Sequence, residues 1–333
     1  MTMSSDIQAP QGKPPRGRWR EFALLGGLFV LVVAGLASLA AATGWEETMA
    51  QLSKLTLAQV GLLLALSLVN YLFRAFRWHV FTRCLGVGTG LGQDIRHFLG
   101  GFAMSVTPGR VGELIRMRWI RRETGWSFER TAPLVLVDRA SDLAAMALLL
   151  AAALALSGGM IRFAVPVTLL AFAGAVIVTR PALLSISANG FYRLTGLFPR
   201  LMARIRRAAR SLRAFTGAGT LALATALGLV GWIAEGYAFW LLLTWLDAGV
   251  GFWLAVLIFV FATLAGGLTG APGGLGGAEA AMVGLLMLEG VPFEVALAAT
   301  AVIRVTTLWF AILIGLGIFP FAEAKSLKFK EAS

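Results

Sequence analysis

Six charged residues stand in or beside stretches apolar enough to lie in lipid: Glu113, Asp138, Arg139 and Asp142 in the first half, Glu279 and Arg304 in the second. A charge at such a position is costly and is kept for a partner, a cavity or a pathway. The mixture of side chains suggests one chemistry first. A planar guanidinium grips a phosphate with two parallel hydrogen bonds, and a carboxylate beside it can hold it ready until the phosphate arrives. Glu113 and Glu279 could equally receive a headgroup amine or a proton. A membrane enzyme is the alternative, and it needs clustered acids for Mg²⁺ or a nucleophile beside a base. Asp138 and Asp142 are the one close aspartate pair in an apolar stretch, and no Cys or His stands near them in sequence.

The two glutamates follow breaks. Glu113 closes the run Pro108, Gly109, Arg110, Val111, Gly112 at the end of the apolar stretch from Phe98. Glu279 closes Pro272, Gly273, Gly274, Leu275, Gly276, Gly277, Ala278 inside a segment with no charge from Ala248 to Ala278. A carboxylate placed there lies in the first turn of the next helix, where it complements the helix dipole or caps free N–H groups. Arg110 is placed either against a lipid phosphate or among the arginines of the inner leaflet. Helices interrupted by Gly and Pro at corresponding places in two halves point to a transport site near the midplane. Irregular backbone at that depth must be packed in protein or line a wet cavity, so each break predicts a re-entrant helical hairpin.

The elements that carry these residues are spanning helices. Of the 333 residues 58% are hydrophobic and 14% charged, and the mean hydropathy is +0.80; no soluble globule is clothed by so little polar surface. Uncharged windows at Ala23–Thr43, Leu57–Phe73, Leu143–Ile161, Phe163–Thr179, Ala214–Ala234 and Val305–Ala322 approach the roughly 20 residues a span requires. Strand-like alternation is absent, and the expected fold is an all-α integral membrane bundle. The net charge of +12 does not imply nucleic acid, because the basic residues fall in blocks between windows, as the positive-inside rule requires. Both termini are therefore expected in the cytoplasm, with six spans and two hairpins. Leu201, Ile205, Ala208, Leu212 and Phe215 recur at helical spacing among arginines, which predicts a helix on the anionic inner leaflet. Arg74, Arg77 and Glu235 lie about 26 to 30 Å into their spans at 1.5 Å per residue, and are expected as vestibule residues near the membrane faces. His79 and His97 are expected at the inner boundary, as is Trp78. Cys84 is the one cysteine, which excludes an intramolecular disulfide and a cysteine-rich metal site.

The halves match each other. Leu68 to Arg74 faces Leu229 to Glu235, and Leu85 to Gly90 faces Leu246 to Gly251, at an offset of 161. Pro108-Gly109 faces Pro272-Gly273; Gly125 to Glu129 faces Gly290 to Glu294 and Arg139 faces Arg304 at an offset of 165. The charge rule gives the copies opposite orientations, hence an inverted repeat. Helix-rise arithmetic puts Arg139 about 12 Å and Arg304 about 18 Å from opposite faces, both near the midplane, with Asp138, Asp142, Glu113 and Glu279 as their available acids.

The tip Ser105 to Glu113, the pair Asp138-Arg139 followed by Asp142, and Ala271 to Glu279 followed by Arg304 resemble the lysylphosphatidylglycerol synthase transmembrane family. That is the flippase-like membrane part of the multiple peptide resistance factor, and the resemblance spans roughly residues 20 to 320. It implies movement of a polar-headed lipid between the leaflets of a bacterial inner membrane, without an enzyme activity of its own. Asp138 stands where a longer Glu is expected in many relatives, and the sequence ending at Ser333 is expected to lack the synthase domain. The expected organisation is a tail at 1–20, one membrane domain at 21–322 and a tail at 323–333. Within the domain, repeat one spans about 57–157, a basic linker 180–214 and repeat two about 218–318. Membrane lipids are the expected partners and no cofactor is expected. A small-solute or ion carrier with inverted repeats, and a membrane enzyme on prenyl or phospholipid substrates, are the alternatives.

Overall fold

The computed structural model describes residues 45–105, 111–157, 164–180 and 212–332, with isolated positions between 182 and 193. The window Ala23–Thr43, the tip residues Pro108, Gly109 and Arg110, and most of the basic linker lie outside the described residues. The described chain is helical throughout: α1 Trp45–Ser53, α2 Leu57–Leu85, α3 Leu91–Gly100 with a 3₁₀ turn at Gly101–Met104, α4 Val111–Thr124, α5 Phe128–Leu156 and α6 Ala164–Thr179. A 3₁₀ turn at Leu212–Phe215 leads to α7 Ala218–Trp245, then α8 Phe252–Leu268, a 3₁₀ turn at Pro272–Gly274, α9 Gly277–Leu288, α10 Phe293–Arg304, a π-turn at Val305–Trp309 and α11 Phe310–Ala332. Four stretches are long and apolar enough to cross a membrane: Leu57–Leu85, Phe128–Leu156, Ala218–Trp245 and Phe293–Lys328. The protein is an all-α, multi-pass membrane protein.

Local chemistry sets the helix ends. Thr56 and Gln59 form a reciprocal capping box at the start of α2, and Gly86 ends it in the left-handed region at φ 78°, a conformation that suits a residue without Cβ. α2 packs along α7; α5 packs on α6, α7 and α8; α8 packs on α9; and α11 covers α3 and α4. Two cores result. One, around Phe239, Val256, Phe259 and Met282, belongs mainly to α7 to α10. The other, around Tyr71, Trp78, Phe81 and Phe98, belongs mainly to α2 and α3.

The helix pairs α3/α4 and α8/α9 close in the same way. A Cβ on Gly112 would collide with the carbonyl oxygen of Gly101, and one on Gly277 with the side chain of Thr269. A Cβ on Gly266 would stand 2.7 Å from that of Ala278. Gly101, Met104 and Gly112 correspond to Gly266, Thr269 and Gly277, each at the offset of 165. In both pairs the second helix starts so close to the first that hydrogen is the largest tolerated side chain.

The uncharged window Val305–Ala322 is part of a longer apolar stretch that begins at Phe293, next to the Pro292 from which the depth of Arg304 is counted, and Arg304 is held inside the fold. The helix continues past Ala322 to Ala332. One sequence expectation changes. Leu212 and Phe215 do not face lipid: both are buried, and the Phe215 ring meets Phe81 edge-on at 5.6 Å.

Candidate functional site

Between the two helix pairs lies a cavity of about 220 Å³. Its charged walls are Arg74, Glu113, Arg116, Arg139, Glu235 and Arg304, and its aromatic walls are Tyr71, Phe102, Trp232 and Phe259. Gly273 and Gly274 also face it; both have positive φ, 64° and 69°, which turns backbone rather than side chain toward the space. Pro272 begins the 3₁₀ turn that carries them.

Each break delivers a glutamate to an arginine. Glu113, in the first turn of α4, meets Nη2 of Arg139 on α5 at 2.5 Å. Glu279, in the first turn of α9, accepts from Nε of Arg304 on α10 at 2.5 Å. Arg304 Nη2 also donates to the carbonyl oxygen of Gly273 at 2.9 Å. The helix-capping reading of Glu279 therefore gives way to ion pairing. Arg304 is nearly buried, whereas the side chain of Arg139 is 37% exposed, which makes Arg139 the more open of the two guanidinium groups.

The aspartates serve other arginines. Arg77 is fully buried and donates to Asp138 at 2.6 Å and to Asp142 at 2.7 Å. Arg74 donates to Asp142 at 2.7 Å and stacks 5.3 Å from the Trp232 ring. Asp142 lies 3.7 Å from Arg139 and Asp138 3.9 Å from Arg116. Arg77 is thus enclosed by protein rather than open to a vestibule. Counting residues along a span puts it near a face, but its carboxylate partners on α5 draw it into the protein. Arg74 and Glu235 line the cavity itself, and Glu235 is only 5% exposed. His97 is fully buried, 3.0 Å from Glu123, and His79 lies 2.6 Å from Asp94.

Arg116 is the site residue that sequence reasoning missed. In a chain segment dense with arginines it reads as one more inner-leaflet charge. It is 3% exposed, stacked 4.1 Å from the Phe98 ring, and its Nε and Nη1 have no hydrogen-bond partner among the described residues. The signal was its spacing: Arg116 follows Glu113 by three residues, so both stand on one face of α4. Tyr71 was also unforeseen. Its hydroxyl donates to the carbonyl oxygen of Thr307 in the π-turn just beyond Arg304.

Residues 23–315 match the family described as the lysylphosphatidylglycerol synthase TM region. The chain belongs to that family. Two relatives from Methanothermobacter thermautotrophicus, strain Delta H, are each described as a UPF0104 membrane protein. One is 24% identical over 320 residues, 88% of this chain and 94% of the relative. The other is 29% identical over 122 residues, so that 37% of this chain spans about a third, 36%, of that relative's length. Family membership agrees with the four long apolar helices and identifies a membrane region of flippase-like type.

Proposed function

We propose that the protein moves a polar-headed, phosphate-bearing lipid between membrane leaflets, and that the cavity between the two helix pairs receives the headgroup. The observation that carries this reading is the matched pair of contacts, Glu113 with Arg139 and Glu279 with Arg304, at one cavity that both arginines line. In the resting state each acid holds its guanidinium; an arriving phosphate takes the guanidinium's donors, which fit two oxygens at once. The acyl chains stay in lipid while the headgroup crosses. On this reading α3/α4 and α8/α9 are re-entrant hairpins entering from opposite faces of a bacterial inner membrane, the halves form an inverted repeat, and both termini are cytoplasmic. The basic linker lies on the inner leaflet. The protein acts as a carrier and catalyses no covalent step.

Purification in native nanodiscs, followed by mass spectrometry of the bound lipid, tests the proposal. A phosphate-bearing lipid retained by the wild type and lost from Arg139→Lys and Arg304→Lys supports it. A water-soluble solute in the cavity would sink it and favour a solute carrier.

A further inference from the structure

Among the described residues, ten charges lie at the cavity and in the layer behind it. Five are arginines: Arg74, Arg77, Arg116, Arg139 and Arg304. Of the five acids, Glu113, Asp138, Asp142 and Glu279 each lie within 2.7 Å of a guanidinium nitrogen. Glu235 has no ion pair or hydrogen bond among the described residues, although it stands at the cavity wall. Protonating any of the other four breaks an ion pair; protonating Glu235 breaks none.

The elements packed on α7 confirm how isolated this carboxyl is. α2 brings Tyr71 and Arg74 toward it, α5 brings Asp142, and α10 brings Arg304. α8 contributes no titratable side chain between Phe252 and Leu268. Arg74 and Arg304 already have their own acids. With all ten groups ionised the cluster is neutral, so an entering phosphate meets no net attraction and one unshielded carboxylate. At a carboxyl as buried as Glu235 a single charge matters more than it would in water. With Glu235 neutral, these ten groups carry one net positive charge, and among the described residues Arg116 leaves two nitrogens, Nε and Nη1, without an acceptor, where Arg74, Arg77 and Arg139 leave one each.

Building on the phosphate-lipid reading above, we propose that Glu235 is a proton-binding site that licenses the cavity for an anionic headgroup: the proton and the phosphate enter together. Arg116, which lines the cavity, then brings two donors that are buried at rest and that no acceptor among the described residues holds. Binding and protonation are linked, so each must strengthen the other equally.

The test uses the full-length protein in detergent and a water-soluble, short-chain phosphatidylglycerol, with binding followed by tryptophan fluorescence between about pH 5 and pH 9. Once the carboxyl ionises, wild-type affinity should fall about tenfold per pH unit, while Glu235→Gln keeps the low-pH affinity throughout. Lipid binding by the wild type in a weakly buffered solution above that transition should also take up about one proton per lipid, a measurement that needs no variant. Wild-type binding that is independent of pH, or a Glu235→Gln protein that titrates as the wild type does, overturns the proton site and leaves the phosphate reading standing. If neither protein binds the lipid at any pH, the phosphate reading fails and the proton site fails with it.

Discussion

The first helix pair, α3 and α4, is fastened by carboxylates, whereas the second, α8 and α9, is fastened by apolar packing, although the two close through the same glycine contacts. At the first, Asp94 accepts from Thr82 at 2.7 Å and from Thr89 at 3.0 Å, Glu123 receives Arg96 at 2.9 Å, and Glu323 on α11 receives Arg118 at 2.6 Å and Arg122 at 2.7 Å. Burial alone would raise the Glu123 carboxyl, but His97, Gln93 and Arg96 hold it below its ordinary range. At the second, Val256, Phe259, Met282 and Leu286 are buried in one apolar cluster, and Asp247, Glu289 and Glu294 take part in no ion pair among the described residues. The difference continues beside the cavity. Where α2 has Arg74 and Arg77, the equivalent positions of α7 are Glu235 and Ala238; where α5 has Asp138 and Asp142, α10 has Ile303 and the π-turn after it Thr307. One glutamate-arginine contact is common to both halves, Glu113 with Arg139 and Glu279 with Arg304.

The largest expected effect lies in the ionic half. Arg77→Ala strands Asp138 and Asp142 without their shared cation in a fully buried place, and removing one partner of such a network costs about 3 to 5 kcal/mol. Thermal unfolding in detergent should show a large drop in midpoint. A midpoint equal to that of the wild type would mean that the network does not bear on stability, and the contrast between the halves would lose its meaning.

A smaller effect sharpens the part the halves share. A Cβ at Gly112 meets backbone, the Gly101 carbonyl oxygen, whereas a Cβ at Gly277 meets the movable end of Thr269. Gly112→Ala should therefore destabilise by about 1 to 3 kcal/mol, the range for overpacking, and Gly277→Ala by less. Adding Thr269→Ala should restore most of the loss at Gly277. Equal losses at the two glycines, with no rescue, would show that the closures differ from the contacts described.

The helical class, the breaks and the glutamates that follow them were legible in the sequence, because each rests on local features: uncharged windows, Pro and Gly in a greasy run, an acid at a fixed offset. The repeat offset also brought Arg139 and Arg304 forward together. The partners of the aspartates were not legible. Arg77 and Asp138 are 61 residues apart, and no spacing rule reaches that far, so a count of residues into the span placed Arg77 near a face. Arg116 was hidden by its neighbours. Along α4 the arginines divide, with Arg116 buried under Phe98 and Arg118 and Arg122 turned to Glu323, and a charge count over a segment averages the two faces away.

In the proposed function Arg139 and Arg304 do equivalent work on a phosphate held in one cavity. The direct test is translocation of a fluorescent phospholipid in liposomes by Arg139→Lys and Arg304→Lys, each first shown to be folded. Lysine keeps the charge and the attraction of the facing glutamate but loses the planar fork. Losing one charge-assisted hydrogen bond, about 1.5 to 3 kcal/mol, should slow each variant about tenfold or more, and by similar factors. Wild-type rates in both variants would contradict the claim and reduce the two glutamate-arginine contacts to ties between helices.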